Sequence, residues 1–522
     1  MEDLFQRITE NPNDGNLYIQ LGDNYKEKNV NQAYLCYEQA SSLCTGESYE
    51  LCIQKMNECK FESTFYVHPV SFVILSYNSK NIMIECLEAI RNTCVKGSYE
   101  VIVVDSNSTD GIREWLKEQN DIKLILNDKF DGFAAGCNQG AKYAKKENDI
   151  FLLNNDAIVT PRALFYMRLS LYSKKKIGAV GPVSSNVGEE HLYDQVQRSH
   201  DEWMELAETI NQPSANPIQM SHWLQGHALL IKRRIWDEVG MLDTDFKFGG
   251  YEDTEYGIRI NLAGYQLSVC KNAFVYHYGH TSMKTRSKEF DEALNINQRI
   301  FEDKFHISLD QVLESKYYRA ASFVNEDPQA NLNILQIYGG SANLLNIIKY
   351  NYPNCKLHSI QNNLVYTKVS SNYSDAHFLN INDETLPFRN ESFDYIFFFE
   401  IENVDDLKSV LNQLKSLLKP TGHLVLCGKN ANHISVVDSL IQGNLNIPLL
   451  KNCKYFYTTD DIRNLVNSCD FVIPRMSWMY QSIFTNLSES QKHTLDKILS
   501  LSDAKDRNAY IHTSVLIDAV KG

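Results

Sequence analysis

The chain has 522 residues, which at about 100–200 residues per domain predicts three or four folded units. Its apolar fraction of 43% and charged fraction of 22% exclude a wholly disordered chain. With 51 Lys and Arg against 65 Asp and Glu, the net charge is −14, which argues against sequence-independent nucleic-acid binding, because that binding depends on positive charge.

Cysteine spacing and hydropathy predict a cytoplasmic protein. None of the 12 cysteines forms a CxxC pair, so a zinc ribbon or thioredoxin-like centre is not expected. The first ten residues lack the apolar segment of a secretory signal, and no stretch approaches the roughly 18–20 apolar residues of a membrane span. We therefore expect reduced thiols and no membrane span.

Residues 1–62 are predicted to form a small helical unit. Leu17, Leu21 and Tyr25 recur at helical spacing, and the string LGDNYKEKNVNQAYLCYEQA resembles a tetratricopeptide repeat. A single repeat cannot bury its own apolar face, so the unit must dock on something else. A protein-binding module and a packing appendage both fit this pattern.

Strands and helices alternate from about residue 66, which predicts a parallel α/β sheet. The predicted strands and helices, in chain order, are Val70–Leu75, Ile82–Asn92, Glu100–Asp105, Ile122–Leu126, Ala134–Lys145 and Ile150–Leu153. Ligands of such sheets bind at the carboxyl ends of the strands. Polar clusters follow three of these strands, and Asp105 and Asp156 each come directly after an apolar run. Asp110, in contrast, equally suits a helix N-cap.

Five segments within residues 68–283 resemble, in order, the family 2 glycosyltransferases with the GT-A fold, especially their rhamnosyl- and galactofuranosyltransferase-like branch. The segments are VSFVILSYNS, VIVVDSNSTDG, GFAAGCNQGAKYA, IFLLNNDAIVTP and GHALLIKRRIWDEVGMLDTDFKFGGYEDTEYGIRINLAGYQLSVCKNAFVYHYGHTS. The resemblance implies an inverting, metal-dependent transfer of a sugar from a nucleotide-sugar donor, a UDP-sugar in our reading, to a hydroxyl acceptor.

The resemblance also implies a metal site. It makes Asp156 the metal-binding carboxylate of the family's DxD motif, with Asn154 in place of the first Asp. The expected ion is Mn²⁺ or Mg²⁺, which would offset the charge of the leaving diphosphate. His277, 24 residues beyond Asp253, matches the second ligand of the resembled branch, with His280 as the alternative. A core role for His277 stays open.

The adjacent pair Glu252 and Asp253 is the candidate catalytic pair. The resemblance assigns the general base to Asp253 and acceptor positioning to Glu252. A base with a pKa near neutrality is favoured, and burial raises the pKa of a carboxyl group. The alternative is that both carboxylates only complement the dipole of a helix that begins there.

Further residues are predicted to bind the donor and the acceptor. Asp105 is expected to accept a hydrogen bond from the uracil N3–H. The other predicted nucleotide-sugar residues are Ser76, Asn78, Gly132, Phe133, Asn138 and Asn155. Trp223 and Gln225 are candidates for the acceptor side, although Trp223 equally suits the core.

Residues of about 330–430 resemble the class I methyltransferases, which bind S-adenosylmethionine on a Rossmann-like fold. The match lies in Leu386-Pro387-Phe388, Phe393-Asp394-Tyr395 and Leu418–Gly422. The cofactor half departs from the pattern, because the glycine-rich loop is reduced to Gln336–Ala342 and no acidic residue follows in Leu357–Asn362. We therefore expect a degenerate domain that does not bind S-adenosylmethionine.

The predicted organisation is an α/β chain of four parts. These are a helical unit (1–62), a GT-A domain (63–320), a methyltransferase-like Rossmann domain (321–440) and a mixed, mostly helical extension (441–522). The acceptor is expected on a protein such as flagellin or another surface polypeptide. A surface-polysaccharide glycosyltransferase, a bifunctional glycosyl- and methyltransferase and a homo-oligomer stay open, whereas a non-enzymatic scaffold is disfavoured.

Overall fold

A computed structural model describes residues 1–188, 191–279, 287–313, 316–340, 342–383, 385–450, 453–479, 488–501 and 508–522. The chain forms two compact units, unit 1 (Met1–Leu309) and unit 2 (Asp310–Gly522). The four-part division made from the sequence stays a prediction. In the described part of the chain, no helix combines the length and apolarity needed to cross a membrane.

Unit 1 contains a mixed sheet flanked by helices. Its described helices are α1 (Glu2–Glu10), α2 (Gly15–Lys26), α3 (Val30–Ser41), α4 (Gly46–Lys60), α5 (Lys80–Thr93), α6 (Ile112–Lys117), α7 (Phe133–Tyr143), α8 (Ala163–Leu171), α9 (His200–Ile210), α10 (Arg233–Val239), α11 (Glu252–Leu262) and α12 (Ser287–Phe305). Its described strands are β1 (Val70–Ser76), β2 (Tyr99–Ser106), β3 (Ile122–Asn127), β4 (Asp149–Asn154), β5 (Ala157–Val159), β6 (Ile177–Ser184), β7 (Ile218–Ser221), β8 (Ala228–Ile231) and β9 (Gln266–His277).

The first half of this sheet is parallel, as the alternating pattern predicts. The strand order is β3-β2-β1-β4-β8-β6-β9-β5, with β7 also paired to β9. All seven residues of β1 are buried, which explains its continuous apolar run. Strands β2 and β4 pair with β1 in parallel, so the carboxyl ends of these three strands lie at one edge. Strand β8 then pairs with β4 in the antiparallel direction.

The amino-terminal helices belong to the same hydrophobic core as the sheet. Helices α2 and α3 approach closely at Gly22, where a Cβ atom would lie 2.4 Å from the Tyr37 ring. Arg168 of α8 pairs with Glu38 of α3, and both side chains are buried. This packing favours the appendage interpretation, while the resemblance to a tetratricopeptide repeat stays a prediction.

Unit 2 has a Rossmann-like sheet between helices. Its described helices are α13 (Leu309–Leu313), whose first residue belongs to unit 1, α14 (Lys316–Ala321), α15 (Asn343–Asn351), α16 (Leu364–Ser370), α17 (Leu407–Leu417), α18 (Ile434–Ile441), α19 (Thr459–Asn467), α20 (Glu489–Leu501) and α21 (Asn508–Ile511). Its described strands are β10 (Asn333–Ile337), β11 (Lys356–Gln361), β12 (Asp375–Phe378), β13 (Phe393–Phe398), β14 (Leu418–Lys429), β15 (Phe471–Met479) and β16 (Ser514–Lys521).

The carboxyl-terminal residues complete this second sheet. The strand order is β12-β11-β10-β13-β14-β16-β15, parallel as far as β14. Strand β16 pairs with β14, and β15 with β16, in the antiparallel direction. Residues 441–522, predicted to be mostly helical, therefore also supply two strands of the sheet.

Candidate active site

A cavity of about 220 Å³ lies at the edge of the first sheet where β1 and β4 end. This is the edge at which the sequence predicts a ligand site. The cavity is lined by Leu75, Tyr77, Phe130, Phe133, Asn154, Asn155, Asp156, Gln225, Gly226, His227, Phe248, Gly249, Gly250, Glu252, Asp253, His277 and Phe290.

Strand pairing brings Asp156 and His277 together. Asp156 immediately precedes β5, and β5 pairs with the end of β9 so that Ala157 lies opposite His277. The backbone N–H of Tyr278 donates to the Asp156 carbonyl oxygen at 3.0 Å. The His277 Nε2 and Asp156 Oδ1 atoms are 3.2 Å apart, and both residues are buried. The two residues predicted to bind the metal are thus neighbours.

The contact between these side chains suits a divalent cation. His277 Nδ1 lies 3.3 Å from the Asn186 carbonyl oxygen. A hydrogen on Nδ1 in that contact would turn the Nε2 lone pair to the Asp156 carboxylate, an arrangement in which both side chains can bind one cation. Adjacent ligands of an octahedral Mg²⁺, each about 2.1 Å from the ion, are about 3 Å apart. No group of three or more His, Cys, Asp or Glu side chains gathers for a metal among the described residues.

Helix α11 begins at Glu252 after a strained turn. The four preceding residues, 248–251, all have positive φ, and two of them, Phe248 (61°) and Tyr251 (72°), are not glycine. Non-glycine residues in this region cost free energy and occur often at functional sites. The turn brings the carboxylates of Glu252 and Asp253 to the cavity.

The two carboxylates have different surroundings. Asp253 accepts hydrogen bonds from the backbone N–H groups of Gly226 and Thr254, each at 2.7 Å, which stabilise its charged form. Glu252 is buried, and its Oε2 has no hydrogen-bond partner among the described residues.

These surroundings separate the pKa values of the pair. Burial, reinforced by the charge of Asp253, raises the pKa of Glu252 to about 8. Burial also raises the pKa of Asp253, but its backbone hydrogen bonds oppose that rise. Of the two carboxyl groups, Glu252 therefore has the stronger tendency to stay protonated.

Three predicted nucleotide residues lie at the ends of β1 and β2 but do not line the cavity. Asp105 is fully buried, accepts hydrogen bonds from the N–H and hydroxyl groups of Ser108, and lies 3.3 Å from Arg113 Nε. The Asn78 side chain accepts from the backbone N–H of Thr109 at 2.9 Å. Ser76 is buried in β1. The uracil contact of Asp105 therefore stays a prediction.

Among the other predicted residues, Phe133, Asn155 and Gln225 line the cavity. The predicted metal ligands and the predicted catalytic carboxylates line it as well, namely Asp156, His277, Glu252 and Asp253. Asn138 does not, because its amide bridges the backbone N–H and carbonyl of Leu242. Gly132 precedes α7 with φ of 97°. Trp223 is buried against the His191 ring at 5.2 Å, in agreement with its core interpretation. His280 falls outside the described residues.

An aromatic wall was not predicted from the sequence. It consists of Tyr77, Phe130, Phe248 and Phe290, which all line the cavity. The rings of Tyr77 and Phe130 are 5.1 Å apart, and those of Phe130 and Phe248 are 6.4 Å apart. Tyr77 directly follows β1, so its position at the ligand edge was a usable signal.

His227 is a second unpredicted feature of the cavity. Its ring centroid lies 5.0 Å from that of His277, and the residue is only 3% exposed. Burial and the neighbouring imidazoles hold its pKa well below the ordinary value, so the ring is neutral. Neither ring nitrogen has a hydrogen-bond partner among the described residues, which leaves both available to a ligand.

Comparisons with known proteins identify two matched regions in the chain. Residues 71–238 match the family model Glycosyl transferase family 2, and residues 340–426 match a Methyltransferase domain model. A poly(ribitol-phosphate) beta-glucosyltransferase of Bacillus spizizenii is 32% identical over 114 residues. That match covers 21% of this chain and 18% of the relative, so the chain spans less than a fifth of the relative's length.

Two solved structures are also similar. The mannosyltransferase PcManGT from Pyrobaculum calidifontis, in complex with GDP-Man and Mn²⁺, is 19% identical with a TM-score of 0.33 over 55% of this chain and 73% of that one. An S-adenosylmethionine-dependent methyltransferase from Mesorhizobium loti is 12% identical with a TM-score of 0.27, and the match covers 40% of this chain and 98% of that one.

The chain therefore contains a glycosyltransferase family 2 domain with the GT-A fold in unit 1 and a Rossmann-like methyltransferase domain in unit 2. The first is the domain of an enzyme family, as the sequence predicts. The matched region ends at residue 238, before the Glu252 and Asp253 pair and before His277. The rhamnosyl- and galactofuranosyltransferase-like branch stays a prediction.

Proposed function

We propose that the protein transfers a sugar from a nucleotide-sugar donor, a UDP-sugar, to a hydroxyl acceptor with inversion at the anomeric carbon. The supporting observation is the meeting of two side-chain pairs in one cavity at the ligand edge of the sheet. Asp156 and His277 would hold Mn²⁺ or Mg²⁺, and Glu252 and Asp253 lie on the same cavity. When bound, the ion neutralises charge on the leaving diphosphate.

The carboxylate pair supplies the proton chemistry in this proposal. Asp253, held by two backbone N–H groups, accepts the proton of the acceptor hydroxyl as that oxygen attacks the sugar. Glu252, protonated because burial raises its pKa to about 8, donates a hydrogen bond that orients the acceptor. Attack on the face opposite the leaving diphosphate inverts the anomeric centre.

The cavity walls support donor binding. The aromatic wall offers rings on which a nucleobase or a sugar face can pack, a contact available to any flat ring. Gly226 lies against Asp253, so close that a Cβ there would be 3.2 Å from the Asp253 Cβ. Glycine at position 226 therefore leaves space beside Asp253, the proposed base, for the acceptor.

The acceptor is proposed to be a surface polymer or a polypeptide. A surface polysaccharide precursor gains support from the Bacillus spizizenii relative, whose name specifies poly(ribitol-phosphate) and a glucosyl group. The polypeptide alternative depends on the amino-terminal helices, which pack into the core of unit 1. We therefore favour the polymer acceptor, and the cytoplasmic location stays a prediction.

Metal binding and donor turnover test this proposal together. Isothermal titration with Mn²⁺ and hydrolysis of a panel of UDP-sugars are measured for the wild type, Asp156→Asn, His277→Ala and the control Asp201→Asn. We expect the two site variants to lose Mn²⁺ affinity by more than the about 10–100-fold that loss of an outer-shell partner of a ligand causes, and to lose turnover with it. Asp201 is exposed, so its variant should match the wild type. Undiminished turnover in Asp156→Asn contradicts the proposal.

A bifunctional glycosyl- and methyltransferase is the second candidate, because a methyltransferase domain is present. Its glycine loop is engaged by its own chain, since the Gly339 N–H donates to Glu400 Oε1 at 3.2 Å. The Phe399 ring lies 2.7 Å from where a Gly339 Cβ would be. We propose that S-adenosylmethionine does not bind here. Titration of the full chain with that cofactor tests this, and micromolar binding would establish the bifunctional alternative.

A further inference from the structure

A second cavity, of about 270 Å³, lies at the opposite edge of the first sheet. Its lining includes Asp149, the first residue of β4, and Lys232, which follows the last residue of the antiparallel strand β8. The active-site cavity lies at the other end of β4, which at about 3.3 Å per residue is roughly 17 Å away. The two cavities are therefore separate.

The second cavity is strongly basic, although the chain carries a net charge of −14. Four cationic side chains line it, namely Lys175, Lys232, Arg233 and Arg234. Arg233 is paired with Asp237 at 2.9 Å. In the described part of the chain, no carboxylate lies within 4.0 Å of the other three. None of these three cations is therefore in a salt bridge with a described residue.

Asp149 is the one carboxylate among the residues that line this cavity, against four basic side chains. One of its oxygens accepts from the Tyr172 hydroxyl, and the other accepts from the backbone N–H of Arg233 at 2.9 Å. Burial raises the pKa of Asp149, and both hydrogen bonds oppose that rise. The lining thus carries an excess of positive charge.

Lys232 is the most unusual member of this set, because it is only 2% exposed. Its ammonium lies 5.5 Å from the ring centroids of both Tyr66 and Tyr172, and it donates to the Lys174 carbonyl oxygen at 3.1 Å. Burial, together with the charge of Arg234, lowers the pKa of this ammonium to about 7. At neutral pH this pKa leaves Lys232 only partly charged, and an anion bound in the cavity would favour its charged form.

We propose that this cavity binds a small phosphate-bearing molecule, with its phosphate between Lys232, Lys175 and Arg234. Lys175 and Arg234, together with Lys232 once a bound anion favours its charged form, favour a dianion over a single carboxylate. The volume is just below the about 300–1,000 Å³ of sites for drug-sized ligands, so the ligand is a phosphate ion or a small phosphate ester. Lys175 is exposed, so the cavity opens to solvent.

The test is titration of the full chain with inorganic phosphate and with glucose 1-phosphate, in EDTA so that no metal supports binding at the active site. Lys232→Met keeps most of the buried volume while removing the charge, and Lys175→Gln changes only an exposed side chain. Lys146→Gln is the matched control, because Lys146 is exposed but does not line the cavity. Thermal unfolding verifies that each variant is folded.

We expect Lys232→Met to weaken phosphate binding by about tenfold or more, and Lys175→Gln to weaken it severalfold, because each variant loses a charged hydrogen bond to the phosphate. Lys146→Gln should bind phosphate like the wild type. Asp156→Asn should bind phosphate like the wild type, because Asp156 lies in the other cavity. Tighter binding of glucose 1-phosphate identifies an ester as the ligand, whereas equal affinities identify free phosphate. Absent binding, or equal binding by the wild type, Lys232→Met and Lys175→Gln, overturns the proposal.

Discussion

Replacing Glu252 by Gln should change how the stability of unit 1 depends on pH. The folded protein holds a proton on Glu252 up to a pKa of about 8, whereas the ordinary pKa is 4.5. The unfolded chain therefore releases this proton at lower pH than the folded chain does. The stability associated with the protonated form is complete below about pH 4.5 and is lost as the pH rises to about 8.

The size of this effect follows from the two pKa values. Each pKa unit corresponds to about 1.4 kcal/mol, so the wild type should lose at most about 5 kcal/mol between pH 4.5 and 8. The glutamine amide of the variant is neutral throughout, so the variant should not show this loss. We expect Glu252→Gln to gain stability relative to the wild type steadily as the pH rises, by several kcal/mol at about pH 8.5.

Urea unfolding between about pH 5.5 and 8.5, followed by tryptophan fluorescence, measures this difference. Four of the five tryptophans lie in unit 1, at positions 115, 203, 223 and 236, so the signal reports mainly on that unit. Glu205→Gln, which changes an exposed carboxylate on α9, is the matched control and should follow the wild type. Parallel curves for Glu252→Gln and the wild type would refute the proposed proton on Glu252.

Three further variants probe packing and the cavity. His227→Leu should keep or raise stability, because it removes two buried nitrogens without partners among the described residues, while raising the KM for the donor in UDP-sugar hydrolysis. Arg168→Met should cost about 3–5 kcal/mol in urea unfolding, because it leaves the Glu38 charge buried. Gly140→Ala should cost about 1–3 kcal/mol in the same assay, because the new Cβ would lie 2.5 Å from a Val73 methyl group.

Matched variants test whether each change in stability comes from the stated contact or from general destabilisation of the fold. The double variant Arg168→Met with Glu38→Met should recover much of the stability lost by Arg168→Met alone, because neither charge then remains unpaired. Lys142→Ala, on the exposed side of α7, should leave stability near that of the wild type. A loss of several kcal/mol in His227→Leu would show that the His227 ring stabilises the fold, contrary to the expectation drawn from its two unpartnered nitrogens.

Much of the fold could be predicted because the signals for it are local. The apolar run of β1 and the helix that follows it depend on neighbouring residues, and the predicted helix Ile82–Asn92 lies within the observed α5. Strand β15 was harder to predict, since it is only partly buried and lies at the sheet edge. Its pattern therefore lacks the continuous apolar run of a central strand.

For the candidate site, too, local sequence predicted some residues correctly and others not. Asp156 and Asn155 were predictable because they follow β4, and such positions face the ligand edge. Asn138 and Trp223 have side chains suited to binding, but contacts with distant residues engage both of them inside the protein. Those contacts form only when separate loops pack, so no local pattern records them.

The sequence by itself therefore determined the alternation of strands and helices in the first half of unit 1, the sheet edge at which a ligand site is expected and the residue types available there. Only the tertiary structure decided that β5 pairs with β9 so that Asp156 meets His277, and that burial raises the pKa of Glu252 to about 8. It also placed the buried Lys232 in a second cavity. Pairing register, burial and charge environment depend on residues far apart in the chain, which is why they emerge only when the chain is folded.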